Sequence, residues 1–325
     1  MRNWQKRLLG LSLGVLLWGM ASCNSSMSQS LTALPVSSEN TIPIPSFSPT
    51  PSPVIIPETS EPLPSITQAP AFQSFAVQPL SQMLEDGADW HVWVKELGGR
   101  VLFEWRSDEI IHPASIVKVP LGMLVLETLE KGTEEPLDLV LDKGPTGAGR
   151  SYRQLLRAML VYSEEDATEI LERDLFERVH QNAVQQILDR WQAPSIRFRP
   201  RRASIHDLST LWECLYTRQC LSESASEQML TWLAEETPSD NGRLWTLKPY
   251  LPEESRIYNK RGSMTVPLTV GDCGLVEIPY YPVLLICIVG QSQGEPNFDR
   301  LHQKIGEFVQ EVWVLWQDYR EIKDE

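Results

Sequence analysis

Proline, serine and threonine divide this chain before any fold can be considered. From Asn24 to Phe75 they dominate, with runs such as Ile42-Pro43-Ile44-Pro45, Pro49-Thr50-Pro51-Ser52-Pro53 and Glu61-Pro62-Leu63-Pro64. Each proline removes a backbone donor and favours extended polyproline geometry, and few side chains remain to build a core. Residues 23–75 are therefore expected to be a semi-rigid spacer, which leaves 76–325 to fold. Some 250 residues is an ordinary size for one domain with its own core.

Ahead of the spacer, Arg2, Lys6 and Arg7 form a positive segment, Leu8 to Trp18 an apolar stretch, and small Ala21 and Ser22 precede Cys23. That order is a secretory signal, so residues 1–22 are expected to be a removable signal peptide. Met20-Ala21-Ser22-Cys23 resembles a bacterial lipobox, which implies lipidation of Cys23 and a membrane tether that does not span the bilayer. The domain would then face the periplasm or another extracytoplasmic space. No apolar run reaches the roughly 20 residues of a spanning helix. A formal charge of −14, from 29 basic and 43 acidic side chains, argues against a nucleic-acid partner, which demands a basic footprint.

Within 76–325, the runs Trp90 to Glu96 and Val101 to Trp105 are joined through Leu97-Gly98-Gly99-Arg100, which predicts an antiparallel hairpin. A helix is predicted from Ser115, just behind Pro113, to Lys131, stopping at Gly132. Helices are also expected at Arg153 to Tyr162, Asp166 to Arg178, Gln181 to Trp191, Ile205 to Tyr216 and Glu223 to Glu235, then strands at Arg256 to Lys260, Thr269 to Glu277 and Val283 to Val289. A closing helix carries Ile305, Phe308, Val309, Val312, Trp316 and Tyr319 on one face. Strands at both ends and helices between them predict an α+β domain with one antiparallel sheet.

Cys214 and Cys220 flank a predicted helix end, and Cys273 and Cys287 lie on neighbouring candidate strands. Each pair suits either a disulfide in an exported protein or a reduced core. The cysteines, and His91, His112, His180, His206 and His302, have no ligand spacing, so no metal or cofactor is expected.

Three short motifs carry the chemistry. Ser115-Ile116-Val117-Lys118 puts a hydroxyl and an amine three residues apart on one helical face. A serine needs a base to become a nucleophile, and a lysine with a depressed pKa can serve. Alone the pattern arises by chance about once in a chain this long. In context, His112-Pro113-Ala114-Ser115-Ile116-Val117-Lys118-Val119-Pro120 resembles the nucleophile segment of class A β-lactamases and penicillin-binding proteins. Ser163-Glu164-Glu165, between two predicted helices, resembles the family's second element, and Lys260-Arg261-Gly262-Ser263, on a strand, its third. Pro145-Thr146-Gly147-Ala148-Gly149 and the stretch from Gly271 to Gly274 add to the likeness, which spans about residues 80 to 320. A literal Ser239-Asp240-Asn241, only 21 residues before Lys260, reads instead as a surface turn.

The resemblance implies a β-lactamase-like fold, in which the flanked sheet is joined by an all-helical lobe. It implies Ser115 as nucleophile, Lys118 as its base, Ser163 as a proton relay, Lys260 as anchor for a substrate carboxylate, and backbone N–H groups of Ser115 and Ser263 as the oxyanion hole. The substrate would be a β-lactam or a cell-wall peptide, handled by a monomer. Three departures bear on this. Glu165 stands where the family has asparagine, and a carboxylate there can pair with Lys118 and raise its pKa. Arg261 replaces a small hydroxyl residue, and either crowds the pocket or clamps a carboxylate. The loop Gln192 to Ser204, QAPSIRFRPRRAS, has no acidic residue, whereas the family's corresponding loop supplies the glutamate that activates the deacylating water. Glu165 is the substitute candidate for that role. Arg199, Arg201 and Arg202 read as a solvated loop, with an anion contact over the site as the alternative. Three functions follow: an acyl-enzyme-forming β-lactamase-like hydrolase with impaired deacylation, a D-alanyl peptidase-like protein acting on wall peptides, or a degenerate β-lactam- or wall-binding lipoprotein.

Overall fold

The computed structural model describes residues 72–85, 87–235, 247–292 and 297–324. The signal, Cys23, most of the spacer and Ser239-Asp240-Asn241 lie outside the described residues. Helix α1 (Phe72–Met83) leads into the hairpin β1 (Asp89–Glu96) and β2 (Val101–Trp105). A 3-10 turn (Ala114–Val117) opens the helical block: α2 (Lys118–Lys131), α3 (Leu137–Leu141), α4 (Tyr152–Leu160), α5 (Glu165–Arg178) and α6 (Gln181–Arg190). The short ribbon β3 (Arg197–Phe198) and β4 (Arg201–Arg202) precedes α7 (Ile205–Tyr216) and α8 (Glu223–Leu233). Strands β5 (Arg256–Thr265), β6 (Leu268–Glu277) and β7 (Leu284–Ser292) and helix α9 (Phe298–Asp324) complete the chain.

The large sheet has the order β2-β1-β7-β6-β5, antiparallel throughout. The β1–β7 pairing, from Asp89 opposite Gln291 to Glu96 opposite Leu284, joins strands that lie on either side of the helical block in the sequence. Side chains alternate across a strand, and here both faces are covered. Leu285, Cys287 and Val289 of β7 pack with the helical block, while Leu284, Ile286 and Ile288 pack against α1 and α9 through Leu80, Phe308, Val312 and Trp316. A strand buried on both faces reads as a continuous apolar run rather than an alternating one, as the β7 sequence does. The α+β expectation holds.

Three local departures from the sequence reading have physical causes. The helix expected from Ser115 begins at Lys118. Ile116 N–H bonds back to Pro113 O and Ala114 adopts φ 48°, so Ser115 sits on a tight turn in front of the helix. Helix α1 was not foreseen, because Pro79 lies inside it and its burial comes from packing on α9. Both cysteine pairs are joined, Cys214–Cys220 with Cα atoms 5.4 Å apart and Cys273–Cys287 with 4.0 Å.

Candidate active site

The turn that carries Ser115 is fixed from three sides. Ile111 and Ala203 exchange backbone hydrogen bonds of 2.9 and 3.1 Å. His112 Nδ1 accepts from Ala114 N–H at 3.1 Å, and Gln291 donates to His112 O at 3.2 Å. From β5, Gly262 lies so close that an added Cβ would stand 3.0 Å from Pro113 O and 3.1 Å from Ile116 Cγ1. A side chain at 262 would press on the Ser115 turn, so glycine lets the strand lie close without displacing it. The left-handed φ of Ala114 is the kind of local strain that a surrounding framework must hold in place.

Lys118 opens α2, whose first turn also holds Pro120. Proline is tolerated there because first-turn N–H groups have no intrahelical partner. The helix runs through the middle of the helical block, and Lys118 is fully buried, 0% exposed. Its ammonium spends all three donors: on Ser163 O at 2.7 Å, Ser163 Oγ at 3.1 Å and Glu165 Oε1 at 2.6 Å. Ser163 has φ 58°. It is held in that turn by Glu164, which pairs with Arg150 and accepts from Thr168 through its carbonyl. The Ser115 hydroxyl makes no hydrogen bond to a described residue.

Burial pushes the Lys118 pKa down, and the hydrogen bond and charge of Glu165 push it up, but the net direction is down. The pairing expected from the sequence is therefore present, while the expected rise is overturned because desolvation of a buried ammonium outweighs a carboxylate that is itself half exposed. Burial raises the Glu165 pKa, but hydrogen bonds from Arg201 and Lys118 overcome it and hold the carboxylate below its usual range. The Arg201 contact runs from Nη2 to Oε2 at 2.8 Å. Arg201 thus reaches over the site rather than into solvent, and its neighbour Arg199 pairs with buried Glu172 of α5.

Lys260 lies on the face of β5 that also buries Tyr258 and Gly262. Its ammonium makes no hydrogen bond to a described residue. Burial first, then the charges of Lys118 and Arg261, bring its pKa down to about 7. Arg261 is one residue on, so alternation turns it to the other face, opposite Asp272 in register. There Asp272 is buried and accepts from Asn259 Nδ2 at 2.9 Å at both oxygens. Burial raises its pKa to about 7 against those hydrogen bonds and the Arg261 charge. Ser263, farther along the strand, is exposed.

The fold thus brings Lys118, Ser163 and Glu165 into direct contact, and lays the Lys260–Ser263 strand on the Ser115 turn. His112 and Asp272 were not recognised from sequence, and Arg201 was read as part of a solvated loop, with a contact over the site only as the alternative. The one available signal was a loop of four arginines without an acid of its own, which needs carboxylates from elsewhere. Among the described residues no group of acidic, histidine and cysteine side chains is placed to hold a metal.

Comparison with curated protein sequences returns no match. Among solved structures, the TLA-1 extended-spectrum β-lactamase is 19% identical, with 76% of this chain and 99% of that one covered at a TM-score of 0.62. The last common ancestor of Gram-negative bacteria class A β-lactamase is 20% identical, covering 74% and 98% at 0.60. A mutant of PBP-A, in an acyl-enzyme complex with penicillin G, is 18% identical, covering 76% and 96% at 0.60. These likenesses show the fold, a β-lactamase-like α+β sheet and helical block. The family model of the β-lactamase enzyme family matches residues 76–313, and the chain belongs to that family.

Proposed function

We propose that the protein is a serine acyl-transferring amide hydrolase that forms an ester on Ser115 and releases it slowly. One observation carries the reading: a fully buried lysine, its pKa lowered by burial, follows three residues after a hydroxyl that makes no hydrogen bond to a described residue. Neutral Lys118 takes the proton of Ser115, whose oxygen attacks the amide carbon. The developing oxyanion is stabilised by the N–H groups of Ser115 and Ser263. Collapse breaks the C–N bond, and the proton passes from Lys118 through Ser163 Oγ to the leaving nitrogen. The Lys118–Ser163 contact at 3.1 Å supports that route. Lys260 holds the substrate carboxylate.

Hydrolysis of the ester needs a base for water. The loop from Gln192 to Ser204 has none, and both Glu165 oxygens already accept from cations. The acyl-enzyme should accumulate. The PBP-A complex supports this chemistry on the fold, and the acyl donor here is a β-lactam or a wall peptide. The charged, apolar and small-residue order of residues 1–22, followed by Cys23, supports an extracytoplasmic domain tethered by a Cys23 lipid. Intact-mass spectrometry after penicillin treatment tests the proposal. A persistent single adduct is expected. No adduct on the wild type, or one that survives Ser115→Ala, defeats it.

A further inference from the structure

The site holds more positive charge than one substrate carboxylate requires. Lys260 suffices for that group, yet β4 also packs against the Ser115 turn, and both its residues are arginines. Arg202 is exposed and makes no hydrogen bond or ion pair with a described residue. Among the described residues Arg201 hydrogen-bonds only to Glu165. Both arginines act on His112, three residues before Ser115. His112 Nδ1 already accepts from Ala114 N–H, so the neutral ring carries its proton on Nε2, a third donor on the opposite edge. In a protein of formal charge −14, this is a local reversal of sign beside the nucleophile.

We propose that Arg201, Arg202 and His112 form a second anion subsite, so that the preferred acyl donor carries two anionic groups, one for Lys260 and one for β4. The proposal rests on the acyl-transfer reading above and gives Glu165 a role. At rest Glu165 is a stand-in anion, strapped between Arg201 and Lys118, and its charge favours the protonated form of Lys118 against the burial that disfavours it. When the second anionic group of the donor takes Arg201, Glu165 retains Lys118 alone and becomes more basic. One proton then crosses the 2.6 Å contact from Lys118 Nζ to Glu165 Oε1, leaving a neutral amine beside a neutral acid. The lone pair released on Nζ is the one that accepts the Ser115 proton.

The test compares two penicillins that differ only in their side chain, one bearing a carboxylate there and the other its methyl ester. Acylation of Ser115 is followed by intact mass. A charge-assisted contact predicts about a tenfold preference for the dianion in the wild type, falling to about one in Arg201→Ala and Arg202→Ala. Equal rates in the wild type, or a preference retained in both variants, overturns the subsite while leaving acyl transfer standing. If neither penicillin labels Ser115, acyl transfer itself fails, and titration with glutarate still decides the subsite. Shifted His112 ring signals in the wild type but not in Arg202→Ala support it, and unmoved signals in the wild type overturn it.

Discussion

Glu165→Gln isolates the charge that decides whether Lys118 can act as a base. The substitution keeps the shape of the side chain and an oxygen to face Nζ, but removes the negative charge 2.6 Å from a fully buried ammonium. A pair of unit charges at about 4 Å is worth about 4 kcal/mol at an effective dielectric near 20. Glu165 is 52% exposed and shares its charge with Arg201, so solvent screening reduces this to about 1–1.5 kcal/mol. That is about one pKa unit. Burial already lowers the Lys118 pKa, and the variant should lower it further. In a pH series of second-order acylation rates with a fluorescent penicillin, the acid limb should move down by about one pH unit. Rates on the acid side should rise by up to about tenfold, because the neutral fraction of a base grows tenfold per unit there. The gain should be greatest for donors with a single carboxylate, which cannot displace Glu165 from Arg201. An acid limb that stays in place, or moves up, would refute the reasoning that Glu165 restrains the base.

Other outcomes follow from the same geometry. Asp272 is buried, and its pKa is raised to about 7 in the folded protein from about 4 when unfolded. Its contribution is present below the unfolded pKa and is lost as pH rises to 7. Thermal melts from pH 4 to 8 should therefore show Asp272→Asn gaining on the wild type through that window, and parallel curves would contradict this. Gly262→Val should cost about 1–3 kcal/mol by overpacking against Pro113 and Ile116. It should also slow acylation, because the Ser115 turn must shift to admit the side chain. Non-reducing peptide mapping of the protein purified without reductant should find Cys214 linked to Cys220 and Cys273 linked to Cys287, with all four free to alkylate only after reduction. Cys23→Ser should move the protein from the membrane fraction to the soluble extracytoplasmic fraction, and unchanged partitioning would exclude a lipid on Cys23.

Much of the fold was legible because its signals are local. The Gly98-Gly99 turn marks the first hairpin, Gly132 the end of α2, and the apolar run from Val283 to Val289 the strand β7. The Ser115-to-Lys118 spacing was legible too, although the helix starts three residues later than expected. What was not legible depends on partners remote in sequence. Pro79 hid α1, which exists because it packs on α9, more than 200 residues away. Strand alternation separated Arg261 from Lys260, a consequence that the motif resemblance did not expose.

The sequence by itself set the expectation that residues 76–325 form the domain, since a run of prolines offers few donors and little apolar surface for a core. It also determined the chemical vocabulary of the site: a hydroxyl, two lysines and a misplaced acid. Only the tertiary structure decided how those groups are charged. Whether Lys118 can be a base depends on burial set by the surrounding helices, against Glu165 and Arg201 brought in from α5 and β4. Desolvation and pairing are both properties of the packed molecule, and no spacing along the chain states which of them wins.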